Sequence, residues 1–371
     1  MTNAARATQV DAEYMRRALA LAERGWGQTA PNPMVGAVVV ADAGPVGEGY
    51  HARYGDAHAE VVALGAAGEA ARGATLYVTL EPCAHFGKTP PCVDAIIDVG
   101  IARVVAAVRD PSDIAHGGVE RLRAAGVVVD LGVERERALE LNAPFFNAHA
   151  SRRPWVTLKL AISADGRIVH PTGAQRWITG VESRREVHRL RANSDAIAVG
   201  IGTVLADDPS LTVRDAPAPR VSPRRLVFDS KLRTPIDSTL VRTARDVDTI
   251  VIARNDAPRE RREALESAGV RILVADGLAD ALESLRNTGV RSVLVEGGAR
   301  LTGSMLREDL VDRLVIFQSP TRLGDAALGA FDFAPRDFAQ ALAGFQAIDE
   351  RGFGPDRMTV YALHEVLCSP D

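Results

Sequence analysis

Cysteine is scarce in this sequence: Cys83, Cys92 and Cys368 are all there is among 371 residues. A disulfide scaffold would need more in so long a chain, and one thiol must stay odd, so a reducing, cytoplasmic setting is expected. Aromatic side chains make up only 5 % of the residues, and 44 Lys and Arg stand against 48 Asp and Glu, for a net charge of −4 with histidine neutral. Without a basic field or many rings on which bases could stack, nucleic acid is not an expected ligand. Long apolar runs are missing too. Residues 38–41 and 196–199 fall far short of the ~18 needed for a membrane span. The first apolar cluster, residues 15–22, is bracketed by Arg16, Arg17, Glu23 and Arg24, so no signal peptide is expected. What is present, 46 % hydrophobic and 25 % charged residues, suffices for real cores. At ~100–200 residues per domain the length implies two domains or three.

Met15, Ala18, Leu19 and Ala22 recur at helical spacing, and Asp11 stands where it could cap a first turn, so a helix is expected over 11–24. The β-branched run 35–40 and the segment 46–50 read as a hairpin. Helices at 58–66, 92–99 and 119–125 then alternate with strands at 75–80, 104–108 and 127–131, and a further helix is expected over 134–141. This is an α/β layer pattern. It restarts after Pro144 and the turn-prone Ser151-Arg152-Arg153-Pro154, which sets domains at 1–149 and 150–371. The second half reads as strands at 156–162, 196–199, 225–228, 249–253, 270–274, 292–295 and 313–317, with helices at 181–192, 258–268 and 278–287. The proline-rich stretch 215–224 is an expected loop.

Zinc prefers neutral imidazole and thiolate, and a catalytic zinc keeps three protein ligands and one open position. His58, Cys83 and Cys92 supply three such ligands, and Glu60, two residues past the histidine, supplies a carboxylate for proton transfer. Taken singly, each has a bland reading, because intracellular cysteines are often small buried hydrophobes. Taken together, His58-Ala59-Glu60 with Pro82-Cys83 reproduces most of the His-x-Glu and Pro-Cys signature of zinc nucleobase deaminases. The second spacing departs from it, with eight residues between the cysteines. A loop containing Gly87 must fold back before a helix delivers Cys92.

That loop, Pro82-Cys83-Ala84-His85-Phe86-Gly87-Lys88-Thr89-Pro90-Pro91-Cys92, resembles the deaminase domain of the bifunctional enzymes of riboflavin biosynthesis. Pro31-Asn32-Pro33-Met34-Val35-Gly36, Gly47-Glu48-Gly49-Tyr50-His51 and His58-Ala59-Glu60 follow the same family's order. The resemblance implies hydrolytic deamination of a diaminopyrimidine carrying phosphoribose, with one Zn2+ per site. It makes Asn32, His51 and Lys88 substrate contacts, although Asn32 could merely form an Asx turn and Lys88 could be a solvated charge. The segment 110–118 is shorter and less basic than is usual in the family.

The restart Thr157-Leu158-Lys159-Leu160-Ala161-Ile162-Ser163-Ala164-Asp165-Gly166 resembles the reductase domain of the same family, as do the segments 175–179, 190–192 and 199–214. The implied fold class is therefore α/β throughout: a cytidine-deaminase-like three-layer domain followed by a dihydrofolate-reductase-like domain. The implied second step is NADPH-dependent reduction of the ribosyl group of an aminouracil to ribityl. Gly297-Gly298, after a strand and before a helix, could expose amides to a cofactor phosphate, although a simple turn explains the pair equally well. By resemblance, the NADPH site comprises Ala161, Trp177, Thr203, Asp207, Ser230, Gly298, Ala299, Arg300, Leu301, Thr302, Gly303 and Ser304. The substrate contacts are Gln175, Arg191, Leu211, Arg214 and Glu296, while Lys159 and Asp207 assist proton movement.

The expected partners are small phosphoribosyl-pyrimidines, with a homo-oligomer as the assembly and neither nucleic acid nor membrane. Two alternatives stand beside this reading: a paralogue acting on another pyrimidine or pteridine, and a deaminase fold used for RNA editing.

Overall fold

The computed structural model describes residues 3–112, 117–169, 177–330, 340 and 342–363, so Gln175 and Cys368 lie outside the described residues. The chain divides into two compact units, Met1–Ala150 and Ser151–Asp371. Among the described residues no helix is long and apolar enough to cross a membrane.

The first unit runs α1 (Asn3–Ala22), β1 (Gly36–Ala41), β2 (Gly44–Tyr50), α2 (Ala59–Ala67), β3 (Thr75–Val78), α3 (Cys92–Val99), β4 (Arg103–Ala106), α4 (Gly118–Ala124), β5 (Val128–Leu131), α5 (Arg135–Leu141) and α6 (Ala143–Ala150). Its strands form one sheet in the order β2-β1-β3-β4-β5. The hairpin partners β1 and β2 are antiparallel, β1 is antiparallel to β3, and β3, β4 and β5 are parallel. Strand periodicity separates two cores. Ala37 and Val39 join Ala63, Leu64, Val93, Ile96 and Leu122 on the face covered by α2, α3 and α4. Val38 joins Met15, Ala18, Leu19 and Ala138 on the face covered by α1 and α5. The result is three layers.

Helix α1 begins well before the expected start, and Asp11 lies inside it rather than at its cap. The Asp11 carboxylate instead accepts from the Tyr77 hydroxyl at 2.7 Å and from both Arg103 guanidinium nitrogens at 2.8 Å, tying α1 to β3 and β4. Helix α6 was not expected because Pro144 read as a break. Pro144 is the second residue of α6, within the first turn, where a missing N–H leaves no bond unmade. Gly49 lets α2 lie flush on β2, since a Cβ there would stand 2.4 Å from the Ala59 carbonyl oxygen and 2.5 Å from the Ala63 nitrogen.

The second unit runs β6 (Trp155–Ile162), β7 (Arg167–Val169), α7 (Val181–Ala192), β8 (Ala196–Gly200), α8 (Ile201–Asp207), β9 (Arg224–Phe228), α9 (Thr239–Arg242), β10 (Thr249–Ala253), α10 (Arg259–Ser267), β11 (Arg271–Val274), α11 (Leu278–Asn287), β12 (Ser292–Val295), α12 (Ala299–Arg307), β13 (Arg313–Gln318), β14 (Leu328–Gly329), β15 (Phe345–Phe353) and β16 (Asp356–Leu363). Its main sheet has the order β11-β10-β9-β8-β12-β6-β13-β16-β15, and β14 pairs separately with β7. From β11 to β13 the strands are parallel, whereas the closing hairpin β15–β16 is antiparallel. Along β6, Val156, Leu158, Leu160 and Ile162 enter the core with Leu285, Leu301 and Met305. Thr157, Lys159 and Ala161 therefore occupy the opposite face, half-buried. The β15–β16 hairpin was not anticipated, because β15 is largely exposed and carries charges such as Glu350 and Arg351 that mask its strand character.

Candidate active sites

In the first unit, helix ends and one loop bring the expected ligands together. His58 is the N-cap of α2, in extended conformation, and Glu60 sits in that helix's first turn, almost wholly buried. Cys92 is the first residue of α3, where the helix dipole favours a thiolate. Cys83 comes from the loop after β3 and accepts the Cys92 backbone N–H at 3.4 Å. His58 Nδ1 lies 3.3 Å from Cys92 Sγ and 3.5 Å from Cys83 Sγ. The three ligand atoms lie within 4.8 Å of one another.

The loop that carries Cys83 is itself braced. Glu81, buried, accepts the backbone N–H of Asp110 at 3.2 Å and that of Val119 at 2.9 Å. Beside it Gly118 packs so closely that a Cβ would stand 1.9 Å from the Pro82 carbonyl oxygen. Sequence reading missed both residues; the only trace is a carboxylate next to Pro82-Cys83 at the end of a strand.

The charge state of the cluster is set by its own bonds. A hydrogen bond from the Cys92 thiol, and another with His58, pull the Cys83 thiol down to about 4 despite burial. The same bond with Cys83, together with burial and the nearby Glu60 carboxylate, pushes the Cys92 thiol up. The two sulfurs thus share one hydrogen bond, and a dication bound between them would favour both thiolates. The bond with Cys83 and the Glu60 charge raise His58, while burial raises Glu60. A soft donor set of one imidazole and two sulfurs fits zinc, and three protein ligands leave a fourth position for water.

Two expected substrate contacts adjoin this group. The His51 ring stands edge-on to His58 with centroids 5.5 Å apart. Its Nδ1 lies 3.2 Å from the Ala57 carbonyl oxygen and its Nε2 lies 3.3 Å from Asn32 Nδ2. These partners select the tautomer protonated on Nδ1, with Nε2 accepting from Asn32. Burial lowers the His51 pKa, so the ring is neutral near pH 7. Lys88 is exposed, and its ammonium lies 4.0 Å from the Tyr54 ring centroid rather than against the cluster.

In the second unit the expected residues gather where parallel strands end, the general place for a ligand in an open α/β sheet. Ala161 is at the end of β6, Thr203 follows β8, Ser230 follows β9, and Glu296 to Gly298 follow β12. Glu296 accepts from Arg191 Nε at 2.5 Å and Nη2 at 3.0 Å, with Lys159 Nζ 4.0 Å away. Burial opposes the Glu296 charge, but the Arg191 guanidinium and the Lys159 ammonium hold its carboxyl below the usual range. Burial lowers the Lys159 pKa although Glu296 acts the other way.

Arg191 Nη1 also donates to the Thr212 carbonyl oxygen at 2.9 Å. Leu211 is buried with φ +47°, in the left-handed region. Arg214 donates to the Ser210 hydroxyl and, at 3.2 Å, to the Thr212 hydroxyl. Other expected residues are less gathered. Asp207 is exposed at the end of α8; its neighbour Asp208, not anticipated, accepts the Thr239 backbone N–H and hydroxyl, each at 2.7 Å. Ser230 is exposed, and Trp177 is half exposed with the Arg184 guanidinium 5.1 Å from its ring centroid.

The start of α12 suits a nucleotide cofactor. Gly298 is its N-cap, and a Cβ there would stand 3.5 Å from Thr203 Oγ1. Ala299, Leu301, Thr302 and Gly303 are buried, Ser304 is half-buried and Arg300 is exposed. The Thr302 hydroxyl is buried without a hydrogen-bond partner among the described residues. Helix N-termini with open backbone amides hold phosphate groups.

Comparison with known proteins agrees with the two units. Residues 8–108 match the cytidine and deoxycytidylate deaminase zinc-binding region, and residues 154–351 match the RibD C-terminal domain. The riboflavin biosynthesis protein RibD of Aquifex aeolicus is 46 % identical over 337 residues, covering 90 % of this chain and 93 % of its own. The solved structure of Acinetobacter baumannii RibD (form 1) is similar with a TM-score of 0.80 at 37 % identity, covering 96 % of this chain and 99 % of its own. A diaminohydroxyphosphoribosylaminopyrimidine deaminase/5-amino-6-(5-phosphoribosylamino)uracil reductase from Thermotoga maritima has a TM-score of 0.81 at 33 % identity, with the same coverages. With a deaminase unit and a reductase unit in the same order and over nearly its whole length, the chain belongs to the RibD family of bifunctional deaminase–reductases of riboflavin biosynthesis.

Proposed function

We propose that the first unit deaminates 2,5-diamino-6-hydroxy-4-(5-phosphoribosylamino)pyrimidine and that the second reduces the ribosyl group of the resulting 5-amino-6-(5-phosphoribosylamino)uracil. The observation that carries the reading is the convergence of His58, Cys83 and Cys92 beside the buried carboxyl of Glu60. These three residues would hold Zn2+, whose contribution when bound is to acidify water for attack on the ring carbon. Glu60 would accept a proton from the attacking water and donate one to the departing amino nitrogen, work suited to a carboxyl whose pKa burial raises. His51, by accepting from Asn32, would fix the Asn32 amide, whose carbonyl oxygen and second N–H remain for the pyrimidine. Lys88, exposed between the two cysteines, is the cation for the sugar phosphate.

In the second unit, the amides at the start of α12 with Thr203, Thr302, Ser304, Ser230, Trp177 and Ala161 would hold NADPH, which supplies the reducing equivalent. Arg191 and Lys159, both anchored on Glu296, orient the sugar, whose ring carbon–oxygen bond breaks as hydride reaches the carbon. Lys159, with its proton affinity lowered by burial, hands a proton to the sugar oxygen, and Asp207 assists. Arg214 binds the phosphate, and Gln175 and Leu211 line the ring. The buried thiols of Cys83 and Cys92 favour a reducing cytoplasm.

The test is metal content together with product analysis on the purified chain. One zinc per chain, lost in Cys92→Ser along with ammonia release, is expected. Ammonia release from a metal-free Cys92→Ser protein would overturn the zinc reading.

A further inference from the structure

Helix α7 carries His188 three residues before Arg191, so the two side chains share a face. Both grip the segment that follows α8. Arg191 Nη1 donates to the Thr212 carbonyl oxygen at 2.9 Å, and His188 Nδ1 accepts the Arg214 backbone N–H at 3.0 Å. Two residues of the segment, with one residue between them, are thus held at the backbone by side chains of one helix. Upstream, Leu211 is buried in the core with Ile201 and Val204, pinning the segment at its start. His188 fixes the other end, at the very residue whose guanidinium then bonds Ser210 and Thr212.

We infer that His188 is a positioning residue for phosphate recognition in the reductase unit, acting through the backbone of Arg214. This rests on the reading of Arg214 as the phosphate cation. The role requires a neutral ring with Nδ1 unprotonated and the proton on Nε2. The surroundings favour that state: burial first, then Arg191 on its own helix and Arg214 on the loop, depress the His188 pKa, outweighing Glu296 after β12 and Asp215 on the loop. Acidification would protonate Nδ1, remove the acceptor and place a third cation beside Arg191 and Arg214.

The experiment compares His188→Leu, which removes the acceptor, with His188→Asn, whose amide oxygen can occupy the place of Nδ1. Reductase kinetics are measured with the phosphorylated aminouracil and with its dephosphorylated riboside, using Arg214→Ala as reference. His188→Leu should raise KM for the phosphorylated substrate about tenfold, with kcat within about twofold and the riboside unaffected. His188→Asn should restore most of the affinity. Equal effects on both substrates, or a fall in kcat without a change in KM, would overturn the role. If Arg214→Ala fails to reduce the preference for the phosphorylated substrate, the reading of Arg214 falls. If Arg214→Ala behaves as expected while His188→Leu is silent, only the His188 inference falls.

Discussion

Glu60 is only 3 % exposed and lies two residues beyond His58, an expected metal ligand. Glu60→Gln keeps the volume and removes the proton shuttle, so zinc should remain bound while ammonia release falls by roughly 10²–10⁴-fold, as for other positioned acid–base groups. Native mass spectrometry beside an ammonia assay checks both. A second residue reports on pH. Burial lifts the Asp110 carboxyl to about 6, against the opposing bond from the Ser112 N–H. The folded chain therefore holds that proton more tightly than the unfolded chain, and the stabilisation present at low pH is lost as pH rises through about 6. Asp110→Asn should melt above the parent at about pH 8, with the difference shrinking as pH falls through about 6 and gone below about pH 4. A pH-independent difference in the melting of the first unit would refute this. The chemistry-bearing residues were the most legible part of the sequence, because His58, Glu60, Cys83 and Cys92 keep a recognisable order whatever the loop between them does. Those that act through backbone atoms, such as Glu81, His188 and Asp208, were silent, since a bond to an N–H leaves no mark on residue type at the other end.

At the level of elements, the β-branched run 35–40 and the apolar segment 156–162 exposed interior strands, and helical spacing exposed α2, α3 and α7. The elements that went unseen are those whose stability comes from elsewhere. The outer strand β15 is polar and exists through pairing with β16, α6 carries a proline at its second position, within the first turn, and α1 extends upstream of its apolar stripe. How closely α2 approaches the sheet was also hidden. Gly47-Glu48-Gly49 was legible only as a family motif, whereas in the fold Gly49 admits the backbone of the helix that bears His58 and Glu60. Gly49→Ala should push α2 outward, costing the first unit about 1–3 kcal/mol as overpacking does and weakening zinc retention. Denaturant unfolding and zinc content of that variant check it. Full stability with undiminished zinc would show that the helix has room to spare.

For the whole molecule, the expected order of a deaminase unit before a reductase unit agrees with the family matches over residues 8–108 and 154–351. The His58–Cys83–Cys92 group lies in the first unit and the Lys159–Arg191–Glu296 group in the second. Damage to one step should therefore spare the other. The most direct measurement is mass spectrometry of the products that Lys159→Met and Glu60→Gln form from the diaminopyrimidine precursor in the presence of NADPH. Lys159→Met should stop at the deaminated ribosyl compound, and Glu60→Gln should leave the precursor unconverted yet reduce the deaminated compound when it is supplied. Loss of both steps in either variant, or parental conversion of the precursor by Glu60→Gln, would contradict the assignment of one reaction to each unit.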